Sequence, residues 1–160
     1  MNTALIKFLS GRGTDHAGRT YQDVLDQDDQ WLEYTHDWVQ WCFPLFESSQ
    51  SVMNAPVLES MDEVKLIQES AKSQETMRLG LVRFAEFLRD GDQWLRYHDH
   101  NHLRITRVIK SVKALMSDDQ ARQFYQYVMR QVNDRAGVQP SQVSMQYWSQ
   151  ATHSYNVGPL

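Results

Sequence analysis

The sequence predicts an all-α fold, a compact irregular bundle of about five to six helices. Three observations carry that expectation. Apolar residues recur at helical spacing while strand-like alternation is scarce. Capping signals of the Ser-x-x-Glu/Gln kind precede two of the periodic stretches. At 160 residues with 41% hydrophobic content, 5 Trp and 6 Phe, the chain can bury a core without disulfide or metal support. One domain over residues 1–160, with its core at roughly 8–152, is the expected organisation.

The elements follow in order. After a short apolar start, Ser10–Arg19 holds three glycines and reads as a loop. Thr20 caps a short helix through Leu25, and a second helix begins near Asp28 and runs to Pro44. Phe46–Glu59 is an irregular connection, where Ser, Asn and Pro56 offer turn chemistry and no helical stripe. Ser60 with Glu63 forms a capping box for a helix from Met61 to about Ala71. The next, Gln74–Arg89, places Leu81, Phe84, Ala85 and Leu88 on one face, and Asp90-Gly91-Asp92 breaks it. A helix over Asn101–Met116 buries Ile105, Val108, Ile109, Val112, Leu115 and Met116. Ser117 and Gln120 open a helix from Asp118 to Ala136, with Gly137 as a left-handed cap. A final helix starts at Pro140-Ser141 with Val143, Tyr147 and Ala151 facing inward.

Two segments carry chemistry. On a helical wheel, residues 28–43 put Trp31, Tyr34, Trp38, Trp41 and Cys42 on a core face and Glu33, His36, Asp37 and Gln40 on a polar one. In the second segment Arg104, Arg107, Lys110 and Lys113 form a basic face, with no acidic residue between Asn101 and Met116. A field of that sign selects an anion, and the helix start adds its own dipole and open N–H groups. The stretch Asp15–Asp37, with seven acidic residues against one arginine, is an alternative, intramolecular counterpart for those arginines.

His98, His100 and His102 alternate ahead of this helix, a spacing that metal sites use, and Glu33-x-x-His36 has the carboxylate–histidine spacing of di-iron bundles. The further glutamates such a centre needs are not recognisable, so neither a metal nor another cofactor is expected. Nucleophile elbows, phosphate-binding loops and dinucleotide fingerprints are missing from the chain. The single cysteine, Cys42, sits among aromatics as a small core residue. A net charge of −4 disfavours nucleic acid as a partner. No apolar run approaches a membrane span and no secretory signal is visible, so a cytoplasmic protein is expected.

The residues His100-Asn101-x-Leu103-Arg104-Ile105-Thr106-Arg107 resemble the hallmark of the opioid growth factor receptor conserved region. Leu32-Glu33-x-x-His36-Asp37-x-Val39-Gln40-Trp41-x-Phe43-Pro44 is similar to that family's other motif, and Asn54-Ala55-Pro56-Val57-Leu58 to the connection after it. The resemblance spans roughly Phe8 to Ala151. It is closer to short bacterial-type members, through Gly18-Arg19-Thr20 and Tyr147-Trp148, than to the vertebrate receptor. His102 and a short Leu88–Trp94 connection depart from the pattern. The resemblance implies an all-helical fold and gives weight to two polar faces, Glu33, His36, Asp37 and Gln40 on one and His98, His100, Asn101, Arg104 and Arg107 on the other. These are expected to line one cleft that takes an anionic small molecule or peptide. The function expected is a non-catalytic binding or signalling module. An enzyme using His36 and His100 as acid/base or metal ligands, and a structural domain that assembles with a partner protein, are the alternatives.

Overall fold

The computed structural model describes residues 1–49 and 51–153. Among them the chain forms nine α-helices and no strand, so the all-helical class holds while the helix count exceeds five to six. The helices are α1 (Thr3–Leu9), α2 (Tyr21–Leu25), α3 (Asp29–Tyr34), α4 (Val39–Cys42), α5 (Met61–Glu69), α6 (Ala71–Asp90), α7 (Asn101–Leu115), α8 (Asp118–Asp134) and α9 (Gln142–His153). Two compact units form, one of Met1–Gly80 and one beginning at Leu81.

The first unit departs most from the sequence expectation. The apolar start is a helix, α1, capped by the Asn2 side chain on the Leu5 N–H and burying Leu5, Phe8 and Leu9. The helix expected from Asp28 to Pro44 is two short ones. Thr35 takes extended backbone (φ −96°, ψ 123°) and ends α3, and the Trp38 indole N–H turns back onto the Leu32 carbonyl at 3.1 Å. A single wheel over 28–43 therefore fails. Tyr34 is 72% exposed rather than core, while Glu33 and Gln40, expected on a polar face, are buried.

The caps read from the sequence are in place. Thr20 and Asp23 form a reciprocal box at α2, as do Ser60 and Glu63 at α5. The fully buried Glu63 carboxylate also accepts the Asn2 N–H at 2.5 Å, so one side chain joins the starts of α1 and α5. Helix α1 packs on α4 and α5, and the Phe8 ring lies 5.2 Å from Tyr21 and edge-on to Trp41 at 5.4 Å. Tyr21 donates to the Cys42 carbonyl at 3.1 Å.

In the second unit α7 packs against α8 and α9. Ile105, Val108, Ile109, Val112 and Leu115 are fully buried, as the wheel predicts; at about 1.5–3 kcal/mol each, their burial contributes on the order of 10 kcal/mol before chain entropy is counted. Phe84 stacks on Phe87 and meets Phe124. Ser117 accepts the Gln120 N–H, but its hydroxyl donates to the Gln120 side chain, so the box is only half formed. Helix α8 ends at Asp134, with Arg135 extended (φ −106°, ψ 129°). Gly137 has a positive φ of 118° but lies beyond the cap position expected for it. On α9 the inward residues are Trp148 and Ala151, whereas Val143 and Tyr147 are more than half exposed. The wheel was set one residue out: the Ser141 hydroxyl caps the Ser144 N–H at 3.1 Å and fixes the rotation that turns Trp148 inward.

Candidate functional site

The first unit builds its polar site around Asp15 and Arg19, in the glycine-rich loop. The Asp15 side chain is fully buried, and its Oδ1 accepts the backbone N–H groups of Ala17 and Arg19 at 2.9 and 3.0 Å. Gly18, with φ +77°, lets the loop turn back on itself, its N–H donating to the Asp15 carbonyl. Arg19 Nε then meets Asp15 Oδ2 at 2.7 Å, and its Nη2 reaches Asp37 Oδ1 at 3.0 Å. The guanidinium carbon lies 5.2 Å from the centre of the Trp31 ring, a cation–π geometry.

Asp37 also binds His16. Its Oδ2 lies 2.8 Å from His16 Nε2, and since a carboxylate only accepts, Nε2 is the protonated nitrogen. Partial burial opposes ionisation of Asp37, but Arg19 and then His16 outweigh it and hold the carboxyl below its ordinary range. The His16 ring stacks on Trp41, 6.0 Å between centres and 17° between planes, and half its side chain is exposed. Its Nδ1 makes no hydrogen bond among the described residues.

Of the residues expected on the first polar face, Glu33 is buried on α3, His36 is exposed in the turn after it, Asp37 is in the cluster just described, and Gln40 is buried on α4. The Gln40 amide N–H donates weakly to Ser49 Oγ at 3.4 Å, and its Oε1 is buried without a partner among the described residues. The acidic stretch Asp15–Asp37 thus has a cation of its own for Asp15 and Asp37, namely Arg19. Cys42 is buried, and burial pushes its thiol well above the ordinary range, so it supplies no nucleophile.

The second unit places the other set at the start of α7. His98 and His100 are exposed, with the His98 ring edge-on to Tyr97 at 4.6 Å. Asn101 is buried, its N–H held by the Asp99 carboxylate at 2.8 Å. The Asn101 side-chain oxygen accepts from Arg104 Nη1 at 3.2 Å, and that arginine is 8% exposed. Arg107 and Lys110 follow half-buried, and Lys113 pairs with Asp118 at 3.0 Å.

His102 is the residue that sequence reasoning undervalued. It is buried, with Nε2 2.7 Å from the Trp94 carbonyl and Nδ1 2.9 Å from the Ser144 hydroxyl. A carbonyl only accepts, so Nε2 carries the hydrogen and Nδ1 accepts from Ser144. Its own carbonyl takes the Trp148 indole N–H at 3.0 Å, and the two rings meet edge to face at 5.4 Å. Burial lowers its pKa, against the Trp94 carbonyl and Asp99, which raise it; His98 and His100 lower it slightly further. The imidazole is a packed polar link between α7 and α9. The other overlooked residues are Arg19, hidden because its partners lie 4 and 18 positions away, and Arg135. The Arg135 side chain donates to the Leu88, Arg89 and Gly91 carbonyls.

What the fold and these clusters define is a class, an all-helical protein with two arginine-centred polar clusters, one in each unit. Set against known proteins, the chain matches no family model, and neither the curated proteins nor the solved structures contain a match to it.

Proposed function

We propose that the chain is a short member of the opioid growth factor receptor conserved-region family and a non-catalytic binding or signalling module for an anionic small molecule or peptide. The observation that carries this reading is Arg104. The residue is buried, 8% exposed, and its guanidinium donates to the Asn101 side chain in the first turns of α7, where helix N–H groups and dipole also favour negative charge. His98 and His100 stand exposed beside it, with Arg107 and Lys110 on the following turns.

Thermal unfolding with inorganic phosphate, citrate and an acidic peptide tests it. A ligand that binds only the native state at a hundred times its Kd raises stability by about 2.7 kcal/mol. The rise is expected with at least one probe, reduced at high salt and lost in Arg104→Ala and in Arg107→Ala. No rise with any of the three, or the same rise in both variants, overturns the reading.

One observation favours a catalytic alternative, and it moves the base from His36 or His100 to His16. A half-exposed imidazole oriented by a carboxylate through one nitrogen, with the other available, is the arrangement of a general base. Hydrolysis of an activated ester faster than by free imidazole, lost in His16→Ala and Asp37→Asn with the fold retained, would support it. Failure of both readings leaves partner assembly.

A further inference from the structure

We infer that the hollow between the loop after α6 and the end of α8 is a second, separate site, for a small zwitterion of the amino-acid type. It has a volume of about 360 Å³ and is lined by Asp92, Leu95, Arg96, Arg135, Gly137 and Val138, together with Ala136. That volume lies at the small end of the roughly 300–1,000 Å³ range of small-molecule sites.

Arg135 is the fixed point. Its Nη1 donates to the Leu88 and Arg89 carbonyls at 3.0 and 3.2 Å, and its Nη2 to the Gly91 carbonyl at 2.8 Å. The carbonyls at the end of α6 have no partner within the helix; the arginine donates to them, alongside the Trp94 indole on Leu88, and is itself immobilised. A guanidinium has five N–H groups. Nε–H and one hydrogen on Nη2 remain, and no carboxylate pairs with Arg135 among the described residues. A cation already fixed in place gives up little freedom when it binds.

Arg96 and Asp92 also line the hollow and are exposed, neither in an ion pair among the described residues. Three charged groups therefore line one hollow without neutralising one another. Two guanidiniums suit a carboxylate, which accepts their N–H groups in forked pairs. Asp92 works against a bare anion such as phosphate and suits an ammonium. Leu95 and the 65% exposed Val138 offer an apolar wall to a ligand side chain. Gly137 serves the backbone rather than the space: its φ is +118°, and a Cβ there would meet nothing within 4 Å.

The test is an amide-resolved NMR titration of the full chain with leucine, N-acetyl-leucine, leucinamide and inorganic phosphate. Leucine is expected to shift the amides of 92–96 and 135–138 saturably, with N-acetyl-leucine and leucinamide weaker. Arg96→Ala is the main variant because the exposed Arg96 side chain bonds nothing among the described residues, and it should weaken leucine by about tenfold, the worth of one charge-assisted hydrogen bond. Asp92→Asn should weaken leucine and strengthen N-acetyl-leucine. Arg122→Ala, which removes an α8 arginine paired only with Asp119, should leave leucine binding unchanged. Equal binding of all four probes, no saturable shift with leucine, or unchanged binding in Arg96→Ala overturns the proposal.

Discussion

Replacing His102 by Leu tests the account of the second unit most directly, because the imidazole is a buried titratable group that joins two of its helices, α7 and α9. Leucine fills much of the ring's volume but cannot donate to the Trp94 carbonyl, which is buried and receives the Nε2–H at 2.7 Å. A buried acceptor left without a donor costs about 1–3 kcal/mol. Losing the edge-to-face contact with Trp148 adds roughly 0.5–1.5 kcal/mol. Ser144 loses the acceptor of its hydroxyl but is half-buried and within reach of water, so nothing is added for it. The sum, about 2–4 kcal/mol, corresponds to a fall in Tm of about 5–12 °C for a chain of this size.

The pH dependence sharpens the test. Burial lowers the folded-state pKa of His102 below the 6.5 of a free imidazole, so the unfolded chain takes up the proton first. The wild-type advantage is complete above about pH 6.5 and is lost as pH falls from there through the folded value. Denaturation midpoints of wild type and His102→Leu, followed by circular dichroism from pH 8 to pH 5, should therefore converge on acidification. Equal stability at pH 8, or a gap that widens in acid, would refute both the tautomer and the role given to this residue.

Other outcomes follow from the first unit. Asp15→Ala removes a fully buried carboxylate, takes the acceptor from the Ala17 and Arg19 N–H groups and leaves Arg19 with Asp37 alone, and it should cost about 1–3 kcal/mol in denaturant unfolding. Gly80→Ala would drive a methyl group into the Tyr21 phenol, with ring carbons at 2.9 Å, and should cost about 1–3 kcal/mol. Gly18→Ala meets nothing in space, so its cost, about 1 kcal/mol, comes from the positive φ alone and should fall away in Gly18→Asn. Cys42 should resist a thiol reagent in the folded chain and react at the rate of global unfolding, since it is buried and its thiolate is suppressed.

How far the sequence led differs between the units. The second was legible over α7, where five of the six positions that the wheel selects are buried, the exception being Met116, half-buried at the cap. The caps at Thr20, Ser60 and Ser117 were legible because a cap is a local hydrogen bond between residues three apart. Residues 28–43 misled because periodicity cannot register a break made by tertiary bonding. Nothing local announces that Trp38 will turn back to Leu32; Trp38, Trp41 and Cys42 are buried as the wheel expects, but Tyr34, Glu33 and Gln40 are not where it puts them. The same limit hid His102, whose partners Trp94 and Ser144 lie 8 and 42 positions away. At the candidate sites the residue types were readable, whereas which charges neutralise one another was not: Asp37 sits on Arg19 and His16, a pairing that spacing does not encode.

The indole hydrogen bonds give the molecule built-in reporters. Trp38 donates to Leu32, Trp94 to Leu88 and Trp148 to the His102 carbonyl, the first in one unit and the other two in the other. An indole proton so engaged exchanges with solvent only when its surroundings open. Three side-chain resonances, without any label or substitution, would then time the opening of each half of the chain separately. Trp38 losing its proton to deuterium on a different schedule from Trp94 and Trp148 would mark the two halves as distinct cooperative units, and a common schedule would mark them as one.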